Sequence, residues 1–170
     1  MPLKKPKELP KIPKTRKKNA EAALAAIPQK KPDKLEYYCK AFYEFDEVLK
    51  QQFAVLSIQT IVDFTSFAYE VSVEAFKDKD TLNLVIMGLS AKTNMVPQIQ
   101  PARTDIRLDD LNGELKVNVV KQDGSINSAV YNLNVFKKEI NLIKQFKPEK
   151  KNNRLFCQFM VEKESFTFGE

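Results

Sequence analysis

The chain has 170 residues, a formal net charge of +6, 43% apolar content, two cysteines and no histidine. The missing histidine removes Ser-His and Cys-His nucleophile pairs and would leave a zinc site only cysteines and carboxylates, an unusual ligand set. No run of about 18 apolar residues occurs, which excludes a transmembrane helix, and the apolar content suits one folded domain with an appendage.

The charge lies at one end. Residues 1–34 hold eleven Lys and Arg against three acids, a net +8, so the remainder carries −2. Six of the nine prolines are in this stretch, and no aromatic residue is. Proline fixes φ and removes an N–H donor, so Met1–Pro13 is expected to be extended or polyproline-like. Thr15 to Ala26 is free of proline and Ala-rich, and predicts a short helix ended by Pro28, marginal by itself at about 12 residues. The apolar run Ala22–Ile27 is shorter than the roughly 7–15 residues of a signal h-region, so a cytoplasmic protein is expected. The domain boundaries read as a basic arm over 1–33 and a folded body over 34–170.

Asp33-Lys34-Leu35-Glu36 has capping-box spacing. Leu35, Tyr38, Phe42, Phe45 and Leu49 then recur at steps of three and four, and Glu36–Lys40 and Asp46–Lys50 have i,i+4 spacing. This predicts a helix, with Tyr38 facing the core and Tyr37 more exposed. Its tyrosines, Tyr37, Tyr38 and Tyr43, are read as packing the helix across the sheet rather than as a binding surface.

Beyond residue 53 the period becomes two. Leu56–Phe64 and Phe67–Ala75 alternate, with Thr65-Ser66 as a bend or bulge between them. Lys77–Asp80 reads as a hairpin turn, and Thr81–Leu89 as a central strand. Ser90–Pro101 reads as a loop of about a dozen residues, a length that invites a functional reading. Further strands are expected over Ala102–Leu108, Gly113–Lys121, Ser125–Val135, Glu139–Phe146 and Arg154–Glu162. Their turns fall at Asn112-Gly113, at Gln122-Asp123-Gly124 and at a polar hairpin tip over Lys147–Asn153. About eight mostly antiparallel strands follow, preceded by one α-helix and the arm. This is an all-β fold, a β-sandwich, with a barrel as the alternative. The strand count suits an immunoglobulin-like sandwich, but the Cys–Trp–Cys signature is missing because there is no Trp.

The cationic arm is the first candidate site. Lys4, Lys5, Lys7, Lys11, Lys14, Arg16, Lys17 and Lys18 supply the charge. Leu9 and Ile12 are apolar anchors that a purely phosphate-binding tail would not need. The second candidate is the comb Arg103-x-Asp105-x-Arg107-x-Asp109. On a strand these side chains share one face, and Arg103 and Arg107 could line an anion-binding pocket. A solvated face that resists edge pairing explains the same pattern. Asp105 and Asp109 lie about 13 Å apart along a strand, too far for a glycosidase pair. The loops at Asp78/Asp80 and Asp109–Gly113 lack the EF-hand pattern. Cys39 and Cys157 read as buried thiols.

The body shows no catalytic set and implies no cofactor or metal. The expected function is therefore that of a non-enzymatic interaction module, an accessory or structural subunit whose arm docks onto a larger protein assembly with an acidic surface. A nucleic-acid- or ribosome-associated protein using the arm for phosphate contacts is the alternative. A small-ligand carrier in a β-barrel is the second. A membrane surface suits the lysines, but the apolar stretch is too small to anchor there by itself.

Overall fold

The computed structural model describes residues 14–26, 30–93, 96 and 98–170. One helix, α1 (Lys14–Ala25), precedes nine strands: β1 (Tyr37–Asp46), β2 (Gln51–Phe64), β3 (Tyr69–Asp78), β4 (Thr81–Ala91), β5 (Gln100–Leu108), β6 (Asn112–Lys121), β7 (Ile126–Asn134), β8 (Glu139–Gln145) and β9 (Cys157–Val161). They form two sheets, ordered β5-β2-β1-β9 and β3-β4-β6-β7-β8. The sheets face each other as a sandwich, not a closed barrel. Alternation decides which residues enter the space between them: Leu82, Leu84, Val117, Val119, Ala129 and Tyr131 from the five-stranded sheet meet Cys39, Tyr43, Leu56, Ile58 and Phe159 from the other.

The helix expected from Asp33 onward is strand β1. Both faces of this strand bury apolar groups, which hides the period of two and lets a spurious helical period emerge. Cys39, Ala41 and Tyr43 point into the main core. Phe42 points the other way and joins Phe53 and Val55 in a small cluster on the outer face. The i,i+4 ion pairs accordingly do not form: Lys40 pairs with Glu162, and Lys50 with Glu47. The helix that does exist is the short Ala-rich one, and it buries none of its residues.

Two of the expected turns, Lys147–Asn153 and Asn112-Gly113, differ from expectation. Lys147–Asn153 is no hairpin tip, because β8 and β9 lie in different sheets. It carries the chain across, and β9 then pairs in parallel with β1, from Tyr37↔Cys157 to Ala41↔Val161. Thr65-Ser66 is the expected bend, and it joins β2 in one sheet to β3 in the other. Asn112 and Gly113 open β6 rather than forming a free turn, and Gly113 sits at φ 101°, where a side chain would be strained. Elsewhere the strands fall where the alternation placed them, and β4 has a neighbour on each side. The ninth strand, beyond the expected eight, is β1.

Beyond β9 a short 3-10 turn, Lys163–Ser165, returns the chain to the edge of β1. Thr167 N donates to Tyr43 O at 2.9 Å, and Phe45 N donates to Thr167 Oγ1 at 2.8 Å. Phe166 and Phe168 place their rings 5.5 and 5.6 Å from that of Tyr43.

Candidate functional site: a lysine groove at the root of the arm

The last residues of the arm are bound into the body. Lys31 N donates to Lys151 O at 3.4 Å, Lys34 N to Leu155 O at 2.9 Å and Glu36 N to Phe156 O at 2.8 Å. Asp33 accepts from Leu155 N at 2.9 Å, so the residue read as a helix cap serves this ladder instead. Lys30 Nζ reaches Pro148 O at 3.2 Å. Glu36 locks the root: one carboxylate oxygen, Oε2, accepts from Lys121 and from Arg154, each at 2.6 Å. Burial alone would raise its pKa, but the hydrogen bonds and charges of Lys121 and Arg154 outweigh this and hold it below its ordinary value.

Beside the root, across β6, β7 and the end of β8, lies an open groove of about 630 Å³. Strand pairing brings Lys116 from β6 next to the β7–β8 hairpin that carries Lys144 and Phe146, and the crossing segment adds Lys147 and Lys150. Phe146 is 36% exposed. The ammonium groups of Lys116 and Lys144 lie 5.6 and 4.5 Å from its ring centroid. Among the described residues, no carboxylate stands within 4.0 Å of Lys116, Lys144, Lys147 or Lys150. Glu149 is the one acid lining the groove.

The two arginines singled out in the sequence are placed differently. Arg103 and Arg107 do share the outer face of β5, an edge strand. Arg103 holds Asp105 through two bonds of 2.8 and 3.2 Å. Arg107 bonds Glu44 at 3.0 Å and Asp46 at 2.8 Å. Their guanidinium carbons lie 5.5 Å from the ring centroid of Phe42 and 5.0 Å from that of Phe53. The comb is thus a charge-balanced roof over the small outer apolar cluster. An incoming anion there would compete with carboxylates already in place.

Of the arm residues, Lys14, Arg16, Lys17 and Lys18 lie on α1, exposed. Lys4, Lys5, Lys7, Leu9, Lys11 and Ile12 lie outside the described residues, as do Asn94, Met95 and Pro97 of the loop after β4. Cys39 and Cys157 are both buried and unbridged on neighbouring strands, β1 and β9. Burial pushes the Cys39 thiol up to about 12 and raises Cys157 as well, so neither is a nucleophile near neutrality. Tyr43 is core, not surface: it is fully buried, its hydroxyl donates to Leu111 O at 2.9 Å, and burial raises its pKa to about 12. Among the described residues no group of three or more His, Cys, Asp and Glu could hold a metal ion, and no helix is long and apolar enough to cross a membrane.

The groove lysines were the residues that sequence reasoning missed. The stretch from Lys144 to Arg154 is rich in bases, and that signal was present, but it was absorbed into a hairpin tip. Lys116 carried no signal, because only the pairing of β6 with β7 brings it there. The chain matches no protein-family description, no curated protein and no solved structure.

Proposed function

We propose that the chain is a non-enzymatic interaction module, an accessory or structural subunit that docks onto a larger assembly with an acidic surface through its cationic arm. One observation carries this reading. The arm leaves the body where its root is laddered onto residues 151–156, beside a groove whose lysines have no carboxylate partner. The positive charge of the arm therefore continues onto the body, while the arginines on the outer face of the other sheet are neutralised. Opposite charge on a partner would be drawn first to this end of the molecule.

The space between the sheets is filled by side chains such as Tyr43, Tyr131 and Phe156, so the geometry favours a surface function over carriage of an interior ligand. The absence of histidine removes Ser-His and Cys-His nucleophile pairs.

Affinity capture with the full chain and with a form lacking residues 2–29 tests the proposal. That deletion spares the root, whose described ladder begins at Lys30. The full chain is expected to retain partners that are released as salt is raised through roughly 0.5 M, where screening acts over only a few ångströms. The shortened chain is expected to lose them. Retention of every partner by the shortened chain refutes a docking arm.

A further inference from the structure

We infer that the lysine groove is a binding site for single-stranded nucleic acid, with phosphates on the lysines and a base stacked on Phe146. The inference goes beyond the docking arm, because it places a separate ligand on the folded body beside the arm's root. Three observations converge. Lys116, Lys144, Lys147 and Lys150 line one open groove and, among the described residues, have no carboxylate partner. An aromatic ring, Phe146, is 36% exposed, with two of their ammonium groups 5.6 and 4.5 Å from its centroid. Lys30 bonds the carbonyl of Pro148, which lines the groove, and so adds a further base at its edge.

The groove's chemistry separates nucleic acid from an acidic peptide. The guanidinium fork of arginine matches carboxylates and phosphates alike, so the bases alone do not discriminate and the exposed ring does. No arginine lines this groove, and Arg154 near it is committed to Glu36. Lysines act as point charges, a recognised way of holding phosphate. The face of Phe146 carries the negative side of its ring quadrupole, which repels a carboxylate but accepts a flat base. A nucleotide brings both halves together, a base for the ring and a phosphate for the ammoniums beside it. A duplex brings only phosphates, because its bases stay stacked inside. The side-chain amides of Gln145 and Asn152 also line the groove and can meet base edges, without setting a sequence.

The test measures binding of a labelled 12-nucleotide oligothymidylate to the full chain across a salt series. A 12-base-pair duplex and polyglutamate of similar charge serve as competitors. The single strand is expected to bind tighter than either competitor. Phe146→Leu keeps an apolar side chain at a partly exposed position, and it is expected to weaken the single strand by roughly 5- to 100-fold. The duplex should be unaffected and the salt slope unchanged. Lys144→Gln with Lys147→Gln is expected to lower the slope of log affinity against log salt by about 1.4, at about 0.7 per phosphate contact. Equal competition by polyglutamate, or binding of oligothymidylate indifferent to both variants, overturns the inference. The two readings fail separately. If deletion of residues 2–29 releases the partners while the groove variants change nothing, the docking arm stands and the groove site falls. If oligothymidylate depends on Phe146 while the shortened chain keeps every partner, the groove site stands and the docking arm falls.

Discussion

At the scale of the residue, charge in this protein is decided by partners rather than by type. Arg103 and Arg107 looked like free forks, yet Asp105, Glu44 and Asp46 occupy them. The groove lysines Lys116, Lys144, Lys147 and Lys150 have no carboxylate beside them among the described residues and share one open surface. Glu36 shows the same principle at the arm's root, where one carboxylate oxygen serves two cations from distant parts of the chain. Glu36→Gln removes the charge and leaves Lys121 and Arg154, both largely covered, facing a neutral amide. A loss of about 1–3 kcal/mol in urea unfolding at neutral pH is expected. The pH profile should change too. The folded pKa of Glu36 lies below its ordinary value. Its contribution is therefore complete above the unfolded value of about 4.3 and fades as pH falls through the lower, folded value. The variant is expected to show a flatter acid limb in the dependence of stability on pH. An acid limb identical to that of the parent would show that Glu36 does not tie the root.

Elements in this fold are joined by turns that put non-glycine residues where glycine is favoured. Lys50, Lys79 and Lys138, in or next to three hairpin turns, have φ of 52°, 53° and 55°. Each pays the left-handed penalty of an L-residue, roughly 1 kcal/mol. Lys50 pairs with Glu47, and Lys138 lies over the ring of Phe168. Lys79 lies exposed in the β3–β4 turn. Lys79→Gly is expected to stabilise the protein by about 0.5 kcal/mol, the relief of strain being partly offset by the freer unfolded chain. Thermal unfolding measures it, and a clear loss of stability would contradict a strained turn. The elements themselves were legible where one face is dry and the other wet, as in β6, whose Leu115, Val117 and Val119 are buried between exposed or half-buried neighbours. Strand β1 was not legible, because Phe42 and Tyr43 are both buried on opposite faces. A residue-by-residue period cannot distinguish a two-faced strand from a helix when five of its ten residues are aromatic.

At the scale of the whole molecule, the last strand completes the first. Phe156, Cys157 and Phe159 are at most 2% exposed, and β9 lies against β1 across more than a hundred residues of sequence. Completion of this sheet therefore depends on a pairing of high sequence separation, a kind of contact that is slow to form. A chain ending at Leu155 is expected to lose its cooperative thermal transition and to bind an apolar dye, whereas a sharp transition near that of the full chain would show that β9 is dispensable. The same topology produces the candidate site. It crosses the chain from β8 to β9 beside the arm's root and sets Lys147 and Lys150 next to Lys116 and Lys144. The sequence by itself determined the β class, most strand positions and the concentration of positive charge at the N-terminus, because alternation and composition are local properties. Only the tertiary structure decided that residues 37–46 are a strand, that the C-terminus pairs in parallel with it, and which bases stay unpaired. Those outcomes depend on which distant residues meet, and no local period encodes them.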